Sequence, residues 1–405
     1  MRRRRATGAA APILPPAPPI GRGLGVLGLV FILLFGAVGA GATWWQVAQA
    51  DALGADPLDP LRLAAARAVT RGRILAADGT VLAAGGGTVR RRYPLDAAAP
   101  VTGYRSLLLG AAGLEATWDA QLAGLAEPGA TGTLLRKLRA APWEPLDVVT
   151  SIAADLQRLG AALLAGRRGA IVLLEPATGR ILALVSGPTL DAPRLSGVAT
   201  GRRYLDELRA ATDGALLVRP TQGLYVPGSV FKVVTAAAAL ESGAIDAGTT
   251  FAGQPRQSRE GLVIDGVRIR DAVRDVQLGS PLTLAEAMEV SSNVWFARAA
   301  LATGAEALAA TAARLGIGSA PAFELPAAGG RLNDGTGLLA GFSGRVELAG
   351  AGFGQAQVLV SPLQMARIGA AIANGGELVR PRLTDRLVAP DGRTWEIGAR
   401  SDGRV

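Results

Sequence analysis

Two lysines stand in the whole chain, Lys137 and Lys232, against 40 arginines, and there is no histidine and no cysteine. The missing residue types exclude most familiar catalytic chemistry. Without histidine there is no Ser-His-Asp triad and no histidine-ligated metal. Without cysteine there is no thiolate nucleophile, no cysteine zinc site and no disulfide. What remains is a Ser, Thr, Asp or Lys nucleophile with a Lys, Tyr or carboxylate base. Lys232 sits in Pro227-Gly228-Ser229-Val230-Phe231-Lys232-Val233-Val234-Thr235. Arginine stays protonated in a protein, whereas a buried lysine can lose its proton. A base is therefore the one role in which arginine cannot replace it.

Ser229 precedes Lys232 by three positions. Pro227-Gly228 is a turn signal, and the apolar run that follows ends at Glu241-Ser242-Gly243. The pattern predicts a buried helix from near Ser229 to near Gly243. Positions i and i+3 share a helix face, so the amine of Lys232 can meet the hydroxyl of Ser229. Apolar surroundings disfavour the ammonium form. A hydroxyl at a helix N-terminus also lies among free N–H groups that stabilise a developing oxyanion. The alternative is a structural lysine whose stem is buried and whose amine reaches solvent.

These residues must be held by a larger frame. Leu24 to Trp45 is a 22-residue stretch without a charge, long enough to span a bilayer. Arg2 to Arg5 and Arg22 precede it, and Trp44-Trp45 would lie at the far interface. That asymmetry predicts a cytoplasmic N-terminus and an extracytoplasmic remainder. The alternatives are a buried core helix, which is rarely so uniformly apolar, and a cleaved signal peptide, whose apolar region is usually shorter, about 7–15 residues. Ala9 to Pro19 reads as a polyproline-like tail. The expected organisation is a tail over 1–23, an anchor over 24–45, a small β-rich pedestal over 46–146 and a second domain over 147–405, with a linker near Ala141-Pro142-Trp143-Glu144-Pro145. Ile74 to Ala83 reads as a hairpin about Asp78-Gly79. Asp147 to Ser151 is a predicted strand and Ala153 to Leu164 a predicted helix. Gly169 to Pro176 and Arg180 to Ser186 are two further strands joined by a turn. A hairpin followed by the Ser229 helix predicts an α/β or α+β sheet covered by helices.

The net charge of +9 does not indicate a nucleic-acid partner. The arginines are scattered and aromatic residues are few. Arg90-Arg91-Arg92, the densest cluster beyond the tail, reads as a solvated strand or loop.

Gly223-Leu-Tyr-Val-Pro-Gly-Ser-Val-Phe-Lys232 resembles the active-site serine motif of class B penicillin-binding proteins, membrane-anchored D,D-transpeptidases of peptidoglycan synthesis. Ser291-Ser292-Asn293, 62 positions after Ser229, resembles their Ser-x-Asn motif. Gly354 to Ala366 with Ala373-Asn374-Gly375-Gly376 is similar to a helical region of the same domain. Arg71-Gly72-Arg73-Ile74, Asp78-Gly79, Gly113-Leu114-Glu115 and Leu122-Ala-Gly124 resemble the pedestal. Tyr93-Pro94 and Val101 to Ser106 resemble the actinobacterial penicillin-binding protein A subgroup. The resemblance implies a penicillin-binding, serine β-lactamase-like domain in which Ser229 is the nucleophile and Lys232 the base. It makes Ser291 a proton relay and Asn293 a substrate-binding residue. It implies stem peptides ending in D-Ala-D-Ala as substrate, β-lactams as inhibitors and a SEDS-family glycan polymerase as partner, with no cofactor and no metal. The location implied is the cytoplasmic membrane, with roles in cell shape or division. The alternative for Ser291 and Asn293 is a helix N-cap pair.

One departure stands out. The family's third motif, Lys-Thr-Gly, has no match, since no lysine follows Lys232. The nearest sequence is Arg393-Thr394-Trp395, which lacks the glycine that lets a substrate strand approach. The chain ends 29 residues after Gly376. The expectation is a chain cut short before that motif, inactive as written unless another group supplies the missing oxyanion donor. A scaffolding pseudoenzyme, a D,D-carboxypeptidase or a β-lactamase of the same fold are the alternative functions.

Overall fold

A computed structural model describes residues 20–44, 70–86, 89–128, 144–197, 199–272, 280–333 and 340–405. The expected tail at Ala9 to Pro19, Lys137, and Ala141 to Trp143 of the linker lie outside them. Two compact units are present, Met1–Asp59 and Pro60–Val405. The first contributes one helix, α1 (Ile20–Thr43). Its window Leu24–Thr43 is apolar and, at about 1.5 Å per residue, about 30 Å long. By length and composition it can cross a membrane.

The second unit begins with β1 (Ile74–Leu75), β2 (Val81–Gly86) and β3 (Val89–Arg92), a meander. The first reversal falls at Asp78-Gly79, as the dipeptide predicts. Gly79 takes φ +84°, and the Thr80 amide donates to Asp78 Oδ1 at 2.9 Å. β4 (Asp147–Thr150) follows, and runs parallel to β1 with Ile74 opposite Val148. α2 (Ala154–Leu163) then packs on a hairpin of β5 (Gly169–Leu174) and β6 (Ile181–Gly187). β4, α2, β5 and β6 fall within one or two residues of their predicted bounds, while the hairpin's second strand runs on to Gly86, three residues past Ala83.

After three intervening helices, Ala192–Ser196, Gly201–Ala210 and Arg219–Gln222, comes α3 (Lys232–Glu241), preceded by a tight 3₁₀ turn over Gly228–Phe231. A short hairpin, β7 (Leu262–Ile264) and β8 (Val267–Ile269), leads towards α4 (Asn293–Thr303) and α5 (Ala305–Arg314). α6 (Arg345–Ala351) and α7 (Pro362–Ala373) complete the helices used below. α7 starts with a capping box in which Ser361 and Gln364 satisfy each other's amides. β9 (Glu377–Val379), β10 (Thr384–Val388), β11 (Thr394–Glu396) and β12 (Ser401–Arg404) close the chain.

The largest sheet runs β11-β10-β4-β1-β2-β3. It takes strands from both sides of the expected linker. One buried cluster lies against it, with Ile74, Leu82, Leu114, Val148, Ile181 and Leu387 fully enclosed. A second cluster holds Phe231, Val234, Ala238, Leu308, Phe342 and Ile368. A third centres on Trp295, which meets Phe251 and Phe296 edge-on at 5.2 and 5.0 Å and donates its indole N–H to the Leu282 carbonyl. Each large apolar side chain buried here contributes about 1.5–3 kcal/mol.

The triple arginine corrects its sequence expectation. Arg91 is buried, because strand alternation turns it inward while Arg90 and Arg92 face out. Its Nε donates to Glu115 Oε1 at 2.6 Å, and Arg71 Nε donates to Glu115 Oε2 at 2.9 Å. Two guanidinium groups thus share one fully buried carboxylate, with Tyr93 Oη 3.4 Å away. Buried charges persist where they are paired in this way.

Candidate active site

Ser229 lies within the Gly228–Phe231 turn, and Lys232 is the first residue of α3. The predicted helix therefore opens as a 3₁₀ turn. In such a turn positions i and i+3 eclipse, which brings serine and lysine closer than α geometry would. Gly228 supplies φ +60° at the entrance. Ser229 is exposed, whereas the Lys232 side chain is completely buried. The nucleophile is open to a ligand and the amine is removed from water.

The amine meets four oxygens. Lys232 Nζ lies 3.1 Å from Ser229 Oγ, 2.9 Å from Ser291 Oγ, 2.6 Å from the Ser291 carbonyl and 2.9 Å from Asn293 Oδ1. Ser291 Oγ in turn donates to Ser229 Oγ at 2.8 Å. A protonated amine has three donors for these four sites. A neutral amine has two, and its lone pair is free to accept from one of the hydroxyls. Burial pushes the lysine down to about 8, against the opposing pull of Asp271. The Phe296 ring lies 5.6 Å from Nζ.

The second part of the site comes from the start of α4. The N-cap is Ser292, whose Oγ accepts from the Trp295 amide at 3.1 Å. The capping role thus falls on the middle residue of Ser291-Ser292-Asn293. Ser291 takes φ +55°, a left-handed conformation uncommon for serine, and it turns both its hydroxyl and its carbonyl to Lys232. Asn293 Nδ2 donates to the Arg270 carbonyl at 3.0 Å, which sets the amide with its oxygen towards the lysine. The structure therefore brings Ser229, Lys232, Ser291 and Asn293 together.

Arg393-Thr394-Trp395 is not brought there. Thr394 and Trp395 lie on β11 at the edge of the six-stranded sheet, with Trp395 opposite Leu387 and against the first cluster.

Two contributors carried no site role in the sequence reading. Asp271 is buried and accepts from Ser292 Oγ at 3.0 Å and from the Val294 amide at 2.9 Å. No periodicity or spacing marks it. Gly354, in the stretch Gly354-Gln355-Ala356-Gln357, has φ +74°, and its carbonyl accepts from the Gly228 amide at 2.8 Å.

An exposed serine served by a buried lysine, without histidine, has the chemistry of a serine–lysine acyl-transfer site. Comparison with known proteins is consistent with that class. Residues 169–402 match the penicillin-binding protein transpeptidase domain, and residues 71–140 match the penicillin-binding protein A dimerisation domain. The peptidoglycan D,D-transpeptidase PbpA of Mycolicibacterium smegmatis is 33% identical over 383 residues, covering 90% of this chain and 74% of the relative. The protein of the same name from Mycobacterium tuberculosis is 32% identical over the same length. Among solved structures, the imipenem acyl-enzyme of penicillin-binding protein A from M. tuberculosis superposes with a TM-score of 0.72 at 28% identity, covering 84% of this chain and 78% of that one. The chain belongs to the penicillin-binding protein transpeptidase family.

Proposed function

We propose that this protein is a peptidoglycan D,D-transpeptidase and a β-lactam target, with Ser229 as nucleophile. Ser229 Oγ attacks the carbonyl of the penultimate D-Ala of a donor stem peptide. Neutral Lys232 takes the hydroxyl proton. The tetrahedral intermediate collapses to an ester on Ser229 as the terminal D-Ala leaves, its amine receiving a proton through Ser291. An amine of a second stem peptide then attacks the ester, forms the cross-link and restores the Ser229 hydroxyl. Asn293 holds the substrate amide. The observation that carries this reading is the Lys232 amine within hydrogen-bond reach of both Ser229 Oγ and Ser291 Oγ.

The same reading places α1 in the cytoplasmic membrane, with the arginine-rich N-terminus in the cytoplasm. It makes residues 46–146 a pedestal and 147–405 the catalytic domain. A SEDS-family glycan polymerase is the expected partner in the membrane.

The test is labelling of the purified protein with a fluorescent penicillin, followed by mapping of the labelled peptide. Label on Ser229, lost in Ser229→Ala, is the expected result. Label on another residue overturns the assignment. A cooperatively folded protein that takes up no label points to a scaffold instead.

A further inference from the structure

The four residues of the site do not hold themselves in place. Ser291 sits at φ +55°, off the ordinary backbone basins, and such a conformation persists only where its surroundings impose it. From the N-terminal side the Ser291 amide donates to the Met288 carbonyl at 3.1 Å and the Ser292 amide to the Ala287 carbonyl at 2.9 Å. From the C-terminal side two further bonds tie the turn down, and both end on one carboxylate. Asp271 Oδ2 accepts from Ser292 Oγ at 3.0 Å, and Oδ1 accepts from the Val294 amide at 2.9 Å. Ser292 and Val294 flank Asn293 and follow directly on Ser291. Anchoring them fixes the three oxygens that surround Nζ, namely the Ser291 carbonyl, Ser291 Oγ and Asn293 Oδ1. The preceding residue adds another tie, because the Arg270 carbonyl accepts from Asn293 Nδ2. The segment after β8 is thereby riveted to the first turn of α4.

The geometry points to Asp271 as a positioning residue for acyl transfer, one that touches neither Ser229 nor substrate but fixes the Ser291–Asn293 turn against Lys232. Its buried charge also acts on the amine, favouring the protonated form against burial. The other charged groups on elements around Lys232 are engaged elsewhere or exposed. Arg298 donates to the Ala252 carbonyl, Glu241 pairs with Arg314, Glu347 accepts from Ser343, and Arg345 pairs with Asp265. Glu286 caps its own helix with Thr283, and Arg270, Glu289 and Glu306 are exposed. Asp271 therefore has two separable effects, on geometry and on the charge of the base.

The inference rests on the Ser229–Lys232 pair, and the test separates the two. With two lysines in the chain, Lys137→Arg leaves Lys232 as the sole lysine. Lysine labelled with ¹³C at Cε then gives one side-chain resonance in the full-length protein in detergent, and its midpoint is read by NMR without any turnover. In Asp271→Asn the amide oxygen can still accept from Val294, but the amide nitrogen cannot accept from Ser292. The midpoint should move to lower pH by about half a unit or more. Acylation by fluorescent penicillin, measured well above the midpoint, should fall by about 10²-fold, the cost of a misplaced group. Asp271→Glu should restore the midpoint while acylation stays slow. A folded Asp271→Asn with unchanged midpoint and unchanged acylation overturns the inference. Should Asp271→Asn fail to fold, Ser292→Ala decides: slower acylation at unchanged midpoint supports the positioning role, and parental acylation overturns it. A parent chain that takes up no label defeats the acylation reading alone, and an unmoved midpoint in Asp271→Asn then overturns the coupling of Asp271 to Lys232.

Discussion

The Gly228 amide donates to the Gly354 carbonyl at 2.8 Å, and a Cβ at Gly354 would collide with the Gly228 carbonyl oxygen. The turn that presents Ser229 is therefore docked, backbone to backbone, on the loop after α6. Gly354 also has φ +74°, where an L side chain is strained.

Gly354→Ala should accordingly cost about 1–3 kcal/mol of stability from strain and overpacking. Displacement of Gly228 would carry Ser229 with it, so acylation should fall more steeply than stability. Urea unfolding and penicillin labelling measured on the same preparation check this. A variant of parental stability and parental labelling rate would show that the loop yields without moving the serine.

Lys232→Arg keeps the positive charge and removes the proton-accepting form. Acylation should drop by about 10²–10⁴-fold, the usual range for loss of a general base. The parent should show a rate that rises with pH and levels off above about 8, where the amine is neutral. Below that midpoint the rate should fall about tenfold per pH unit, and the arginine variant should lack this limb. The stability sign follows from the same shift. Lys232 gives up its proton near 8 when folded and near 10.5 when unfolded. Between those values the unfolded chain binds the extra proton, so stability rises with pH across that window and gains nothing from it below 8. A flat rate profile from pH 6 to 9 would remove Lys232 from the role of base.

The serine–lysine pair was legible because the alphabet is so restricted: one lysine in an apolar run, three positions after a serine, admits few chemistries. Its exact turn was not, because 3₁₀ and α geometries share the i, i+3 pattern. The hairpin at Asp78-Gly79 was legible for a local reason, a dipeptide suited to φ > 0. The parallel pairing of Ile74 with Val148 was not, since it joins segments 74 positions apart across the expected linker. Arg91 was misread for a similar reason. Three consecutive arginines look solvated until the partner, Glu115, is known to lie beneath the strand. Asp271 was missed because its importance depends wholly on residues some 20 positions further on.

Glu115 supports a prediction about the pedestal. Glu115→Gln leaves Arg91 a buried cation without a countercharge, and leaves Arg71 only the half-exposed carboxylate of Asp119 at 2.7 Å. Removing one partner from such a set costs about 3–5 kcal/mol. Arg203→Ala is the contrast, because its pair with Glu207 at 3.1 Å is exposed and worth about 0–1 kcal/mol. Denaturant unfolding of the two variants should differ by at least twofold in free-energy loss. Equal losses would mean that the sheet relaxes to let water reach the guanidinium groups.

The last prediction concerns orientation in the membrane, and the absence of cysteine makes it direct. A single cysteine introduced anywhere is the only thiol in the chain. Ala6→Cys precedes α1, and Arg202→Cys replaces an exposed side chain of the second unit. On the proposed topology, the charge asymmetry about α1 predicts Ala6 inside and Arg202 outside. A membrane-impermeant maleimide added to intact bacterial cells, or to spheroplasts where an outer membrane is present, should label Arg202→Cys and spare Ala6→Cys. Permeabilised cells should label both, which controls for the reactivity of each thiol. Recovery of the protein in the alkali-washed membrane fraction should accompany this pattern, since α1 would be held by its apolar length. Labelling of Ala6→Cys in the intact preparation would reverse the topology. A peptidoglycan substrate would then lie on the wrong side of the membrane from Ser229, and the proposed activity would fall with it.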